Sequence, residues 1–291
     1  MFRRRGRYAA ILLGLPAVVV YGVFILYPLG RGVFQSFTDN TGGRRSNFVG
    51  LKQYTTLLHD SAALSALGHT LIYAVVVLVV QTGLGLLAAA LLARRVRIRR
   101  TVSSLLLLPA LISPVMASFI WSYLYRPDGG INTLLGDVGL QALQRIWLGD
   151  TSIALYAVAA VNIWMFVGYS CVIFLAGYAG ISGEMLDAAA IDGASGWQRF
   201  RRIEWPMLAP ALTVNVTLSL VGSLGVFDFP LVLTNGGPVG STNTLALLIY
   251  QDIFNNSDFG LGTATAVVLL LVVVVVSSAA STLLRRRERA L

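Results

Sequence analysis

Six apolar stretches, each long enough to cross a bilayer as a helix, constrain this chain more than anything else in its sequence. A hydrocarbon core about 30 Å thick needs about 20 helical residues. Residues 8–30, 68–93, 101–125, 153–180, 207–232 and 261–284 meet that length. In lipid a spanning segment must satisfy its own backbone hydrogen bonds. The expected fold is therefore all-α: one polytopic membrane domain, residues 1–291, with six transmembrane helices. Hydrophobic residues at 56%, charged residues at 12% and a mean hydropathy of +0.74 fit that class and exclude an ordinary soluble domain.

The net charge of +9 raises the question of nucleic acid, and the placement of the charges answers it. Arg3, Arg4, Arg5 and Arg7 precede the first apolar stretch, Arg94, Arg95, Arg97, Arg99 and Arg100 follow the second, and Arg285, Arg286, Arg287 and Arg289 follow the last. Short basic clusters flanking apolar runs orient a membrane protein, so no nucleic-acid partner is expected. With the N-terminus inside, sixteen of the 22 Lys and Arg residues fall in cytoplasmic segments. Both termini are thus expected in the cytoplasm of a multi-pass protein of the cell membrane. The first stretch is longer than a signal-peptide core and lacks a small-residue cleavage site behind it, which reads as an uncleaved helix.

Cys171 is the only cysteine, so neither an intrachain disulfide nor a cysteine metal cluster can form. His59 and His69, ten residues apart, lack zinc-site spacing and are read as ordinary polar residues. Pro109 and Pro114 should break the third span, because each removes a helical hydrogen bond. Trp121 and Trp147 are read as interface-belt residues. In the first outer loop, Leu51, Tyr54, Leu57 and Leu58 predict a short amphipathic helix.

Residues 181–210, ISGEMLDAAAIDGASGWQRFRRIEWPMLAP, interrupt the apolar pattern. Ser182 is placed to cap an alanine-rich helix with acids near its start. Asp192-Gly193 signals a turn, since glycine accepts the left-handed conformation that closes a helix. Ser195 and Gln198 make a capping box, and Trp197, Phe200 and Ile203 recur at helical spacing until Pro206, expected to stop the run. The prediction is a cytoplasmic helix-turn-helix with an apolar stripe.

This segment resembles the cytoplasmic loop of binding-protein-dependent ABC importer permeases. The pattern of that loop falls on Asp187-Ala188-Ala189, Asp192-Gly193-Ala194 and Ile203-Glu204-Trp205-Pro206, with Asp187 in place of the usual Glu, Ser182 of a Pro and Trp205 of a Leu. Elsewhere, Phe48-Val49-Gly50-Leu51, Asp128-Gly129-Gly130-Ile131-Asn132 and Phe227-Asp228 with Leu233-Thr234-Asn235-Gly236-Gly237-Pro238 are similar to the outer loops of the carbohydrate subgroup, the maltose and glycerol-phosphate type. The resemblance implies a type I permease architecture and a sugar importer. It also implies partners: a second, homologous permease, a dimer of ATP-binding subunits and an extracellular solute-binding protein. Asp187, Ala188, Ala189, Asp192, Gly193, Ala194, Phe200, Ile203 and Pro206 would dock the ATPase. This chain would bind no cofactor, with ATP and Mg held by the partner.

The residues themselves agree on one point. Lys52 is the only lysine and lies in no glycine-rich frame, so a phosphate-binding loop is absent, and no catalytic constellation is recognisable. For a solute path, Asn162, Met165, Phe166 and Tyr169 share one helical face, and Asn215, Ser219 and Ser223 recur every four residues. Amides and hydroxyls match sugar hydroxyls, and aromatic faces match sugar C–H groups. Asn162, Tyr169, Asn215, Ser219, Ser223 and Phe227 are the candidate pathway residues. The same polar residues also serve as glue between helices, and that reading stands beside the first. Asp228 is read as structural or as a docking contact. A self-sufficient secondary transporter is the rival class. Such proteins usually carry ionisable residues at mid-membrane, and these spans carry none apart from Asp228 near a helix end. A membrane scaffold or receptor would not explain residues 181–210.

Overall fold

The computed structural model describes residues 15–43, 46–93 and 96–289. Arg3, Arg4, Arg5, Arg7, Arg44, Arg45, Arg94 and Arg95 lie outside them, as does the start of the first apolar stretch. Among the described residues four helices are long and apolar enough to cross a membrane: α1 (Leu15–Gln35), α3 (Ser61–Ala93), α7 (Ala154–Ala179) and α13, Phe259–Arg289. Counting each of two bent helix pairs as one span gives up to six. Between α1 and α3 the short α2 (Lys52–His59) forms where the amphipathic pattern predicts it, burying Leu57 and exposing Leu51 and Leu58.

The described chain divides into two compact units. The smaller holds residues 15–61 and Leu248–Val268. Here α1 presents its apolar side chains outward, as a helix solvated by lipid does. The loop behind it is tied by hydrogen bonds: Ser36 Oγ to Tyr54 Oη at 2.6 Å, and Gln53 Nε2 donating to the Thr38 carbonyl at 2.9 Å. Asn47 donates to Asp39 from both backbone and side chain, which holds the Asp39 carboxyl below its ordinary pKa.

The larger unit spans Ala62–Leu247 and residues 269–289. Its central helix is α7, which buries Val158, Val161, Met165 and Phe174. Helix α3 meets it along a stripe that includes Tyr73, Val77, Gln81, Gly85 and Ala89. A Cβ at Gly85 would collide with Ser170, and one at Gly168 with the Leu106 carbonyl. Small residues at these crossings let the backbones approach, which is how helices gain packing where lipid supplies no hydrophobic drive.

Each span break has a local cause. Helix α4 (Val96–Leu107) runs into a tight turn over Leu108–Leu111, and Ile112 and Ser113 are extended, as residues before proline tend to be. Helix α5 (Pro114–Leu124) restarts with Pro114 in its first turn and Ser113 Oγ accepting from the Met116 amide, 95° away from α4. Beyond it lies the short α6, Gly130–Asp137. Trp121 and Trp147 are half-buried and pack with Tyr125, and Trp147 donates to Asn132 at 2.9 Å.

Helix α8 (Gly183–Ile191) leads to α9 (Gly196–Met207), which bends by 66° into α10, Ala209–Leu224. Pro206 does not stop α9. A wide turn over Phe200–Glu204 precedes it and the helix continues to Met207, so the break comes two residues later, at Leu208. A widened turn gives the proline ring room that a regular helix lacks. Helix α10 ends at Gly225, well before residue 232, and α11 (Asp228–Thr234) begins after an irregular Val226 and Phe227. Asn235 (φ 50°) and Gly236 (φ 85°) close α11, and buried Thr242 ties the following loop back, its hydroxyl 2.6 Å from that of Thr234. Helix α12 covers Leu245–Asn255.

Candidate functional site

The α8–α9 segment takes its shape from its own sequence. Ser182 Oγ accepts from the Met185 amide at 3.4 Å, with Glu184 in the first turn. At the far end Gly193 adopts φ +74°, and the amides of Gly193 and Ala194 reach back to the carbonyls of Ala190 and Ala189. Ser195 and Gln198 then form the reciprocal capping box at 2.8 and 3.3 Å.

Asp187, Ala188, Asp192 and Gly193 are exposed, Ala194, Phe200, Ile203 and Pro206 are half-buried, and Ala189 is buried. The sequence pattern thus mixes two jobs: some residues face outward and others hold the segment. Sequence reasoning missed the outward apolar groups, Ile191 (87% exposed), which lies outside the Ala-Ala pattern, and Trp197 (67%), taken only as part of a stripe. It also missed the anchor. Glu204 is 3% exposed, accepts from Arg199 Nε at 3.1 Å and from the Tyr178 hydroxyl at 3.3 Å, and so fastens α9 to α7. Arg287 lies 5.0 Å above the Trp205 ring, and Thr213 donates to Glu288, which joins the end of α13 to the same corner.

A second feature lies between α3, α5, α7, α10 and α11. It is a cavity of about 430 Å³, and its lining includes Asn162, Tyr169, Asn215, Ser219, Ser223 and Phe227, all six candidate pathway residues. Met165 is not among them, because it turns into the core. The stripes on α7 and α10 therefore face one space. Their polar atoms are held by partners distant in sequence: Asn162 donates to Tyr73 Oη at 2.9 Å, Asn215 to Thr82 Oγ1 at 2.9 Å, and Gln81 to Ser170 Oγ at 3.0 Å. Gln81 and Ser170 also line the cavity and were missed; a lone glutamine amid the apolar residues of α3 was the available signal. The Ser223 hydroxyl donates to the Ser219 carbonyl, while Ser219 Oγ is buried without a partner. Among the described residues no cluster of His, Cys, Asp or Glu is placed to hold a metal ion.

Residues 81–290 match the family described as the binding-protein-dependent transport system inner membrane component. The chain belongs to that family. It is a permease component of an ABC transporter, a transport subunit rather than an enzyme. A probable ABC transporter permease of Pyrococcus horikoshii is 38% identical over 261 residues, covering 89% of each chain. A probable permease for starch degradation products in Thermoanaerobacterium thermosulfurigenes is 31% identical, with 87% of this chain and 86% of the relative covered. The same fold occurs in a bacterial ABC transporter that imports the acidic polysaccharide alginate, at TM-score 0.83 and 22% identity, over 98% of this chain and 96% of that one.

Proposed function

We propose that this permease imports a sugar or oligosaccharide, delivered from outside by a solute-binding protein, along a path shared with a second, homologous permease. Both termini and the α8–α9 segment lie in the cytoplasm, where the segment docks on a dimer of ATP-binding subunits that hold ATP and Mg. ATP binding draws those subunits together, α8 and α9 follow, and the spans reorient around the solute in the 430 Å³ cavity.

One observation carries the reading: a doubly capped helix-turn-helix that holds Ile191 and Trp197 out to solvent while buried Glu204 fastens it to α7. Large apolar side chains held outward on a rigid frame are the anatomy of an interface. Because α7 also carries Asn162 and Tyr169 to the cavity, a push on the segment reaches the solute path through one rigid helix.

The test is to purify the tagged chain in mild detergent, identify the chains that stay bound, and reconstitute the assembly with a panel of labelled oligosaccharides. A second permease and an ATP-binding chain should co-purify, and uptake should require ATP. Uptake driven by an ion gradient with no ATP-binding chain present would establish the secondary-transporter reading instead.

A further inference from the structure

Outside the six spans, the joint between α12 and α13 holds a carboxyl group that neither the docking segment nor the solute path uses. A wide turn over Gln251–Asn255 ends α12, and Ser257 at φ +56° reverses the chain before α13 begins. Backbone bonds close the joint: the amides of Asn256 and Asp258 donate to the carbonyls of Gln251 and Asp252 at 2.9 and 2.8 Å, and that of Gly260 to Asn40 at 2.9 Å. Asp258 Oδ1 caps α13 by accepting from the Leu261 amide at 2.9 Å. The two helices meet so closely that a Cβ on Gly262 would lie 2.5 Å from Ile253 Cγ1 and 3.3 Å from the Cβ of Asp252.

Asp252 sits inside this packing, 4% exposed. Its Oδ1 accepts a long bond from Asn256 Nδ2, at 3.4 Å, and its Oδ2 is buried with no hydrogen-bond partner. Among the described residues it makes no ion pair. The charged groups that face it have its own sign: Asp258 at the start of α13 and Asp60 at the end of α2. An ionised carboxylate needs water, several donors or a cation around it, whereas a neutral carboxyl tolerates such a site far better. Burial, with the charges of Asp258 and Asp60 behind it, pushes the Asp252 carboxyl up to about 6, against the weak pull of Asn256.

We propose that Asp252 is a proton-operated latch: a proton on its carboxyl lets the joint close, and loss of that proton leaves a buried charge that loosens α12 from the start of α13. The sign follows from linkage. When the joint opens, Asp252 meets water and returns to the ordinary carboxyl range, so the closed joint binds the proton more tightly than the open one. The closure is therefore firmest below that range and weakens as the pH rises through about 6. With both termini in the cytoplasm the latch faces outside and responds to the acidity there. The joint titrates in the same way in either orientation, so the latch stands apart from the docking and solute-path readings.

The test is hydrogen exchange read by mass spectrometry on the complete importer in lipid nanodiscs, over a pH series corrected for intrinsic exchange with an unstructured peptide. The reporters are the amides that close the joint, those of Asn256, Asp258, Gly260 and Gly262. Their protection should fall about 10-fold between about pH 5 and about pH 7.5. Asp252→Asn has the shape of the neutral carboxyl and cannot ionise, so it should keep the acid-side protection throughout. Asp60→Asn removes one like charge and should move the midpoint of the fall toward acid. Protection that is the same across the series in the native chain, a fall that survives Asp252→Asn, or a midpoint that Asp60→Asn leaves in place would overturn the latch.

Discussion

The α8–α9 segment and the cavity are both rich in polar residues, yet they are built in opposite ways. In the segment the interactions that set its shape join residues three to five apart: Ser182 with Met185, Ser195 with Gln198, Ala189 with Ala194. In the cavity the key pairs are far apart in the chain, Asn162 with Tyr73, Asn215 with Thr82, Gln81 with Ser170. The first is a shape set by local bonds, with Ile191 and Trp197 turned outward. The second is a space whose polar lining exists only once three helices have packed. A single change should therefore act on docking in the segment and on solute handling in the cavity.

The largest effect is expected at Gly193. Its φ of +74° costs most side chains about 1–2 kcal/mol, but a Cβ there meets open space within the chain, so a bulky side chain projects outward. Gly193→Trp should reach the membrane and bind its sister permease at wild-type levels, lose the ATPase on purification, and show no uptake. Gly193→Asn, which tolerates the left-handed conformation, should keep the ATPase and most of the uptake. Retention of the ATPase with normal uptake in Gly193→Trp would remove the segment from coupling.

A smaller but sharper effect should follow Glu204→Gln, which leaves Arg199 without its charge partner. Hydrogen bonds to charged groups contribute about 1.5–3 kcal/mol, so the melting temperature of the solubilised complex should fall. The ATPase should remain bound, while solute moved per ATP hydrolysed drops because α9 no longer pulls firmly on α7. An unchanged transport ratio would mean that Glu204 only stabilises.

In the cavity, Tyr169→Leu and Asn215→Leu should depress uptake with assembly and basal ATP hydrolysis intact. The lost Asn215–Thr82 bond is worth only about 0.6 kcal/mol as helix glue, so stability should hardly move. Wild-type uptake in the double variant would assign these side chains to packing alone. The smallest change belongs to Ser195→Ala. Losing one cap costs about 1 kcal/mol, and a modest fall in ATPase retention, restored by Ser195→Asp, is the expected result.

What the sequence made legible follows the same division. Capping residues, the Asp192-Gly193 turn and Pro114 each act within one helical turn, so residue order alone places the helix start at Ser182, the turn at Gly193 and a disturbance of the third span at Pro114. The stop expected at Pro206 did not materialise, since nothing in the order of residues reveals that Phe200–Glu204 will widen to receive the ring. Likewise the fifth span was read through to residue 232, because Gly225 in an apolar run gives no sign that α10 ends there. The stripes on α7 and α10 were visible as periodicity. That they face one cavity, and that Gln81 and Ser170 join them, depends on how helices cross, which small residues such as Gly85 and Gly168 permit but do not announce.

The central claim, that α8 and α9 dock a cytoplasmic ATPase, is tested most directly at Ala190, an exposed position on α8. In a Cys171→Ser background, Ala190→Cys carries a thiol-linked photo-cross-linker in membranes holding the whole importer. The account predicts no reaction with an impermeant thiol reagent applied from outside, and a cross-linked product containing this chain and the ATP-binding subunit. Labelling from outside, or cross-links to the sister permease and the solute-binding protein but never to the ATP-binding subunit, would contradict it.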